Sequence, residues 1–314
     1  MDESTLADYA EHLQSCLQWD PVNGADGQQK QEFVEALTQI AALPLDSISM
    51  EIRHLLVSDA VHVRNVVAAL NARDVQLKCK AANTVGSLCI SRVAGQQLLG
   101  LFGPQILASV AKMATRKNQW VQGDAFYLLG WMVVIADEEM LQTIAELLPT
   151  VVKYLHRNLK LPLESEEQNK TKAALASSEQ ASNFRVYALV LLLNFSQRHV
   201  DVFAEELDQL LPMLRDLVQK LHGPATEESP TASIFFDASE YGEVLRLAIT
   251  LLSVLVDQLD TVAPQLLELK VLPDLLKLKQ TLDTTQVHEL IDAAGIQDIT
   301  ERLEAAIETL LHCR

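Results

Sequence analysis

The sequence predicts an all-α fold of stacked helical units sharing a continuous core, and two repeating features predict it. The first is an alanine followed one helical turn later by an aliphatic residue. It occurs as Ala81 and Val85 in LKCKAANTVGSL (77–88), Ala125 and Leu129 in VQGDAFYLLGWM (121–132), Ala188 and Leu192 in FRVYALVLLLNF (184–195), and Ala248 and Leu252 in VLRLAITLLSVL (244–255). Residues four apart lie on one side of a helix, so each pair marks a buried face. The second feature is a proline 23 to 25 residues after each of those alanines: Pro104, Pro149, Pro212 and Pro273, each in a Leu-rich stretch. Proline is tolerated in the first helical turn, where its missing N–H has no partner to lose, so each is expected to open a helix.

Taken in order, residues 1–60 are expected to form a helical N-terminal cap. It holds a degenerate unit, EFVEALTQIAAL (32–43), followed by VHVRNVVAAL (61–70). Residues 61–280 carry the repeats. Their alanines are 44, 63 and 60 residues apart, and the extra length of the last two intervals falls in polar insertions, 161–183 and 222–240, which read as surface loops. Ile234, Phe235 and Phe236 stand out in the second insertion and fit either a plug folded back onto the stack or a docking segment. Residues 281–314 are expected to be C-terminal capping helices, ending in DITERLEAAIETLLHC with Ile299, Leu303, Ala306, Ile307 and Leu310 on its apolar side. Terminal units need one face suited to water, which accounts for the departures from the pattern at both ends.

Composition narrows the function. Of 314 residues, 49% are hydrophobic and 21% charged, enough for a substantial core. Forty-two Asp and Glu against 25 Lys and Arg give a net charge of −17. That excess repels phosphate backbones and anionic lipid, so neither nucleic acid nor a membrane surface is the expected partner. A basic partner would be steered in, although acidity that only keeps the chain soluble is the simpler reading. Cys16, Cys79, Cys89 and Cys313 form no C-x-x-C pair, which suits a reducing compartment. The start, MDESTLADYA, lacks the basic residues and apolar run of a targeting peptide, and no uncharged apolar run reaches spanning length. Cytoplasm is the expected location, with the nucleus also open.

The repeated segments resemble the armadillo repeat, whose last helix reads roughly V-Q-x-x-A-x-x-x-L-x-N. Val121, Gln122, Ala125 and Leu129 match that pattern as they stand. The resemblance covers about residues 60–280 in four units and implies a right-handed α-solenoid superhelix; the related HEAT-type stack would differ little. In armadillo proteins the third helix of each unit lines a groove. By that resemblance the positions five before, two before, two after and six after the alanine face a partner. The second unit presents Trp120, Gly123, Tyr127 and Trp131 there. The first presents Gln76, Cys79, Asn83 and Ser87, the third Asn183, Val186, Val190 and Asn194, and the fourth Glu243, Arg246, Thr250 and Val254. Trp and Tyr are the residues most enriched at binding hot spots, worth about 2 kcal/mol or more each when desolvated. An aromatic stripe at helical spacing also fits a core. The inward side is already filled by Val121, Ala125, Leu128 and Leu129, so both stripes are internal only if the helix is buried all round. Gly86 and Gly130, at matching places, read as close helix-packing positions. Armadillo importers of nuclear cargo repeat a Trp two after and an Asn six after the alanine. Only Asn194 fits that pattern, which argues against a ladder of clamps for an extended basic peptide.

No phosphate-cradling G-x-x-x-x-G-K-[ST] or G-x-G-x-x-G occurs, and no H-E-x-x-H. His54 and His62 are two turns apart with no acid in ligand register. The clusters Glu164, Glu166, Glu167 and Asp137, Glu138, Glu139 read as solvated charge, and the L-x-x-L-L runs LDQLL (207–211) and LPDLL (272–276) coincide with the repeat's own apolar rows. No cofactor, metal or enzymatic activity is expected. The function expected is binding of a folded protein. Length, four central units and the closing helix, with AANTVGSL and ERLEAAIETLL, are similar to the cytosolic armadillo nucleotide-exchange factors of DnaK-class heat-shock chaperones. That resemblance implies a groove that holds one lobe of the chaperone ATPase domain and opens its nucleotide cleft. The alternative is a scaffold or adaptor in a cytoskeletal, ciliary or trafficking assembly.

Overall fold

Short side-chain caps, rather than glycine or proline, begin most helices of the first half of the chain. Asp46, Asp59, Asp74, Ser91, Asn118 and Asp137 each accept a backbone N–H of the first turn, a contribution of about 1 kcal/mol per helix. The computed structural model describes residues 3–25, 27–159, 184–221, 238–283 and 285–313. No strand occurs among them. Both insertions fall largely outside the described residues, and with them Glu164, Glu166, Glu167, Asn183, Ile234, Phe235 and Phe236. The chain divides into two compact units, Met1–Leu147 and Leu148–Arg314.

The first unit contains α1 (Glu3–Cys16), α2 (Gln28–Ala41), α3 (Ser47–Ser58), α4 (Ala60–Ala69), α5 (Val75–Ile90), α6 (Arg92–Ala114), α7 (Gln119–Ile135) and α8 (Glu138–Ala145). Helices α2, α5 and α7 pack in a row with α5 in the middle, and α3, α4 and α6 pack against one another in a second layer. Arg53 of α3 locks the layers together. It is 0% exposed, and its guanidinium donates to Ser87 O (2.8 Å), Pro44 O (2.9 Å) and Leu43 O (2.7 Å). The cation is thus solvated by carbonyl oxygens from the loop after α2 and from α5. Burial holds it below its usual pKa.

The second unit contains α9 (Leu148–Asn158), α10 (Phe184–His199), a 3-10 turn (Val200–Glu205), α11 (Leu207–Lys220), α12 (Ala238–Gln258), α13 (Val262–Glu268), α14 (Leu272–Leu282), α15 (Thr285–Leu290) and α16 (Ala293–His312). Here α10, α12 and α16 form the row, with α9, α11 and α14 in the adjoining layer. Arg185 of α10 grips Glu240 of α12 bidentately, at 2.6 and 2.7 Å, with Glu240 1% exposed. In α16 the five apolar residues expected to be internal, Ile299, Leu303, Ala306, Ile307 and Leu310, are all buried.

The repeat register holds at each alanine. Ala81, Ala125, Ala188 and Ala248 are 0% exposed, and Val85, Leu129, Leu192 and Leu252 are at most 1% exposed. The proline rule needs correction. Pro149 and Pro273 are second residues of α9 and α14, as expected, but Pro104 lies midway along α6 and Pro212 is the sixth residue of α11. At those two places the helix runs through the proline. The carbonyls that lose an N–H partner belong to Gly100 and Asp208, both exposed residues, which leaves solvent access for a replacement bond.

Candidate partner-binding surface

Helix α7 owes its position to two side chains. Asn118 Oδ1 accepts from the backbone N–H groups of Trp120 (3.0 Å) and Val121 (3.2 Å). Gln122 Nε2 donates to Ala114 O at 2.6 Å, fixing the start of α7 to the end of α6. Asp74 stands 44 residues earlier and caps α5 in the same way, accepting from Gln76 N (2.9 Å) and Leu77 N (3.3 Å). The two helices therefore begin at equivalent points of the repeat and pack side by side.

Nearly the whole circumference of α7 is covered. Val121 to Phe126, Leu128 to Gly130, Met132 and Val133 are all buried. One line stays accessible between them: Trp120, Tyr127 and Trp131 are half-buried and Val134 is exposed. Those positions follow a single helical stripe. Tyr127 also closes the seam with α5, since a Cβ placed on Gly86 would come within 2.5 Å of Tyr127 Cε1. Burial pushes the Tyr127 phenol up to about 12, with the neighbouring Trp131 acting in the opposite direction.

Beneath the rings lies a polar cluster spanning α5 and α7. Asp124, 4% exposed, lies beside Cys79 and Asn83, both of which favour its ionised form. The Asn83 amide donates to Cys79 O at 3.0 Å. Burial pushes Asp124 up to about 7, against the lowering effect of Cys79 and Asn83. Burial and the adjacent carboxyl drive the Cys79 thiol far above its ordinary value, which makes it a hydrogen-bond donor and not a nucleophile.

Of the residues expected to face a partner, Trp120, Tyr127 and Trp131 share one line in the first unit. Three others expected there are buried. Ser87 is 0% exposed, donating to Ile40 O at 2.8 Å and accepting from Arg53 Nη2 at 3.2 Å, because the end of α2 covers that turn of α5. Asn83 faces inward to Asp124 and Cys79. Gly123 has no side chain to reach past Trp120 and Tyr127, which flank it one turn away on each side, and it is buried. In the second unit Asn194 is half-buried on α10, as are Val186 and Val190. Arg246 is half-buried on α12 with Glu243 Oε2 at 2.7 Å, and Thr250 is buried, donating to Arg246 O at 2.8 Å. That unit repeats the accessible line without the rings. The cluster around Asp124 was not anticipated. Its one signal is an acid placed directly before the repeat alanine in an otherwise apolar run. Among the described residues no group of three or more His, Cys, Asp or Glu is placed to hold a metal.

No protein-family model matches the chain, and no curated protein matches it significantly. Solved structures with the same architecture do match. The designed armadillo repeat protein YIII(Dq)4CqI is 16% identical with a TM-score of 0.60, over 95% of this chain and 99% of its own. Computationally designed armadillo repeat proteins for modular peptide recognition give 17% and 0.61 over the same shares. The designed protein YIII(Dq.V1)4CPAF, in complex with the peptide (KR)4, gives 16% and 0.60, again over 95% and 99%. At these identities the likeness establishes the fold: the chain is an all-α, armadillo-type repeat protein.

Proposed function

We propose that the chain is a non-enzymatic protein-binding module that engages its partner through the accessible line on α7. The observation that carries this reading is three large rings, Trp120, Tyr127 and Trp131, left half-exposed on one line of a helix most of whose other positions are buried. Half-buried Trp and Tyr side chains lose little further rotamer freedom on binding and still have apolar area to desolvate, the combination found at hot spots. That a designed armadillo protein of the same fold binds a peptide is in keeping with it.

The finer reading is a cytoplasmic co-chaperone that promotes nucleotide exchange on a DnaK-class heat-shock chaperone. It rests on the sequence resemblance. The residues that carry the resemblance, AANTVGSL in α5 and ERLEAAIETLL in α16, serve packing, so they bear on the fold more than on the partner. Such an activity needs no catalytic group, because preferential binding to the open ATPase domain shifts its population and lets ADP leave. The test is release of a fluorescent ADP analogue from a DnaK-class chaperone. The expected result is a release rate raised at least about ten-fold by this protein and restored toward the basal value by Trp131→Ala. An unchanged rate would remove the chaperone assignment and leave the general adaptor reading.

A further inference from the structure

The chain is acidic overall, but its charge is unevenly placed. Between residues 60 and 123 there are eight Lys and Arg against a single acid, Asp74. Several of these collect where α5 and α7 begin. Arg73 is in the loop before α5, Lys78 in its first turn, Lys112 in the last turn of α6, and Arg116 and Lys117 in the loop leading to α7. Asn71 Nδ2 donates to Ser109 Oγ at 2.8 Å, tying the first of these loops to α6 one turn before Lys112. Lys78 and Arg116 lie close enough that, after burial, the guanidinium is the next cause holding the Lys78 ammonium below its ordinary value.

The acids facing this edge do not neutralise it. Asp74 caps α5 and lies 3.7 Å from Lys30 of α2. Asp124 is buried with its carboxyl on Cys79 and Asn83. None of Lys78, Lys112, Arg116 and Lys117 is in an ion pair among the described residues. Trp120, the first ring of the accessible line, stands in the first turn of α7 beside them.

We propose that this edge receives an acidic segment of the protein partner, with carboxylates on Lys78, Lys112, Arg116 and Lys117 and an adjoining apolar side chain against Trp120. The inference rests on the reading of the α7 line as the binding surface and adds the chemistry of what binds there. It reverses the sign that the net charge suggests. At physiological salt the Debye length is about 8 Å, so a short segment senses the local cations and not the distant acids. A long polyanion would reach beyond these few cations and meet the repulsion of a chain with net charge −17. Base stacking is disfavoured too, because the Tyr127 ring is already occupied with Gly86.

Three fluorescein-labelled probes test this on the full chain by anisotropy: a twelve-residue peptide of Glu, Asp, Leu and Phe, the same peptide with Lys for each acid, and a (dT)12 oligonucleotide. The acidic peptide is expected to bind at least about ten-fold tighter than the other two and to weaken as salt rises. Arg116→Glu with Lys117→Glu, both exposed residues, is expected to weaken it at least about ten-fold at an unchanged melting temperature. Equal or tighter binding of the basic peptide or the oligonucleotide overturns the proposal. So does absence of acidic-peptide binding, or indifference to the charge reversal. None of these outcomes touches the α7 reading, which stands or falls on Trp131→Ala.

Discussion

Asp124 shows how far packing alone can move a side chain's chemistry. Its carboxyl ionises near 3.8 when solvated and near 7 in the native chain, because burial opposes the charge more than Cys79 and Asn83 support it. Between those values the native state holds a proton that the unfolded chain has lost. Stability therefore falls as pH rises through that window and levels off above about 7. Asp124→Asn keeps the hydrogen-bond acceptor and removes the titration. It is expected to melt higher than the parent at pH 8 by the equivalent of up to about 4 kcal/mol and to flatten the decline below pH 7. Parallel melting curves from pH 4 to 8 for the two proteins would show that the carboxyl is solvated after all. At this scale the sequence was legible where side-chain size and spacing decide the outcome. The four repeat alanines and the line of rings follow from helical period alone. Ser87 and Asn83 sit at the same nominal positions as Trp131 and Tyr127. They are inward because their neighbours, the end of α2 and Asp124, belong to other elements, and one helix's period carries no information about these.

Between elements, the row helices are joined by a few buried polar devices. Arg53 holds the carbonyls of Leu43, Pro44 and Ser87 in the first unit, and Arg185 holds Glu240 in the second. Removing one member of a buried pair strands the other charge, so Glu240→Ala is expected to cost about 3–5 kcal/mol in chemical denaturation. Arg185→Met combined with Glu240→Leu is expected to recover most of that loss, because the desolvation of both ions disappears with the pair. A double variant no more stable than Glu240→Ala would mean that the pair does more than satisfy itself. Proline was the weaker guide to element boundaries. It marks the starts of α9 and α14. In α6 and α11 the deprived carbonyls belong to exposed residues, Gly100 and Asp208, and the helix continues through the ring. Whether water can reach the orphaned carbonyl depends on how the helix is packed, and that is absent from the local sequence.

For the molecule as a whole, repetition was the most legible property and charge the least. A helical unit recurring four times specifies its own neighbours, so stacked helical units followed from residue spacing, and the armadillo class from the resemblance carried by Val121, Gln122, Ala125 and Leu129. A net charge of −17 conceals an edge of opposite sign, because summing over 314 residues discards where the charges lie. The same averaging makes a 5% aromatic content look unremarkable although two tryptophans and a tyrosine share one helical line. The account depends on that line being the surface a partner occupies. Its most direct test is a quantitative comparison of proteins co-purifying with Trp120→Ala/Trp131→Ala and with Val93→Ala/Leu101→Ala, the latter pair being exposed on α6. Both variants would first be matched to the parent in melting temperature. The tryptophan variant should lose the parent's strongest interactor by about ten-fold or more, while the α6 variant retains it. Retention by the tryptophan variant, or equal loss from both, would contradict the account.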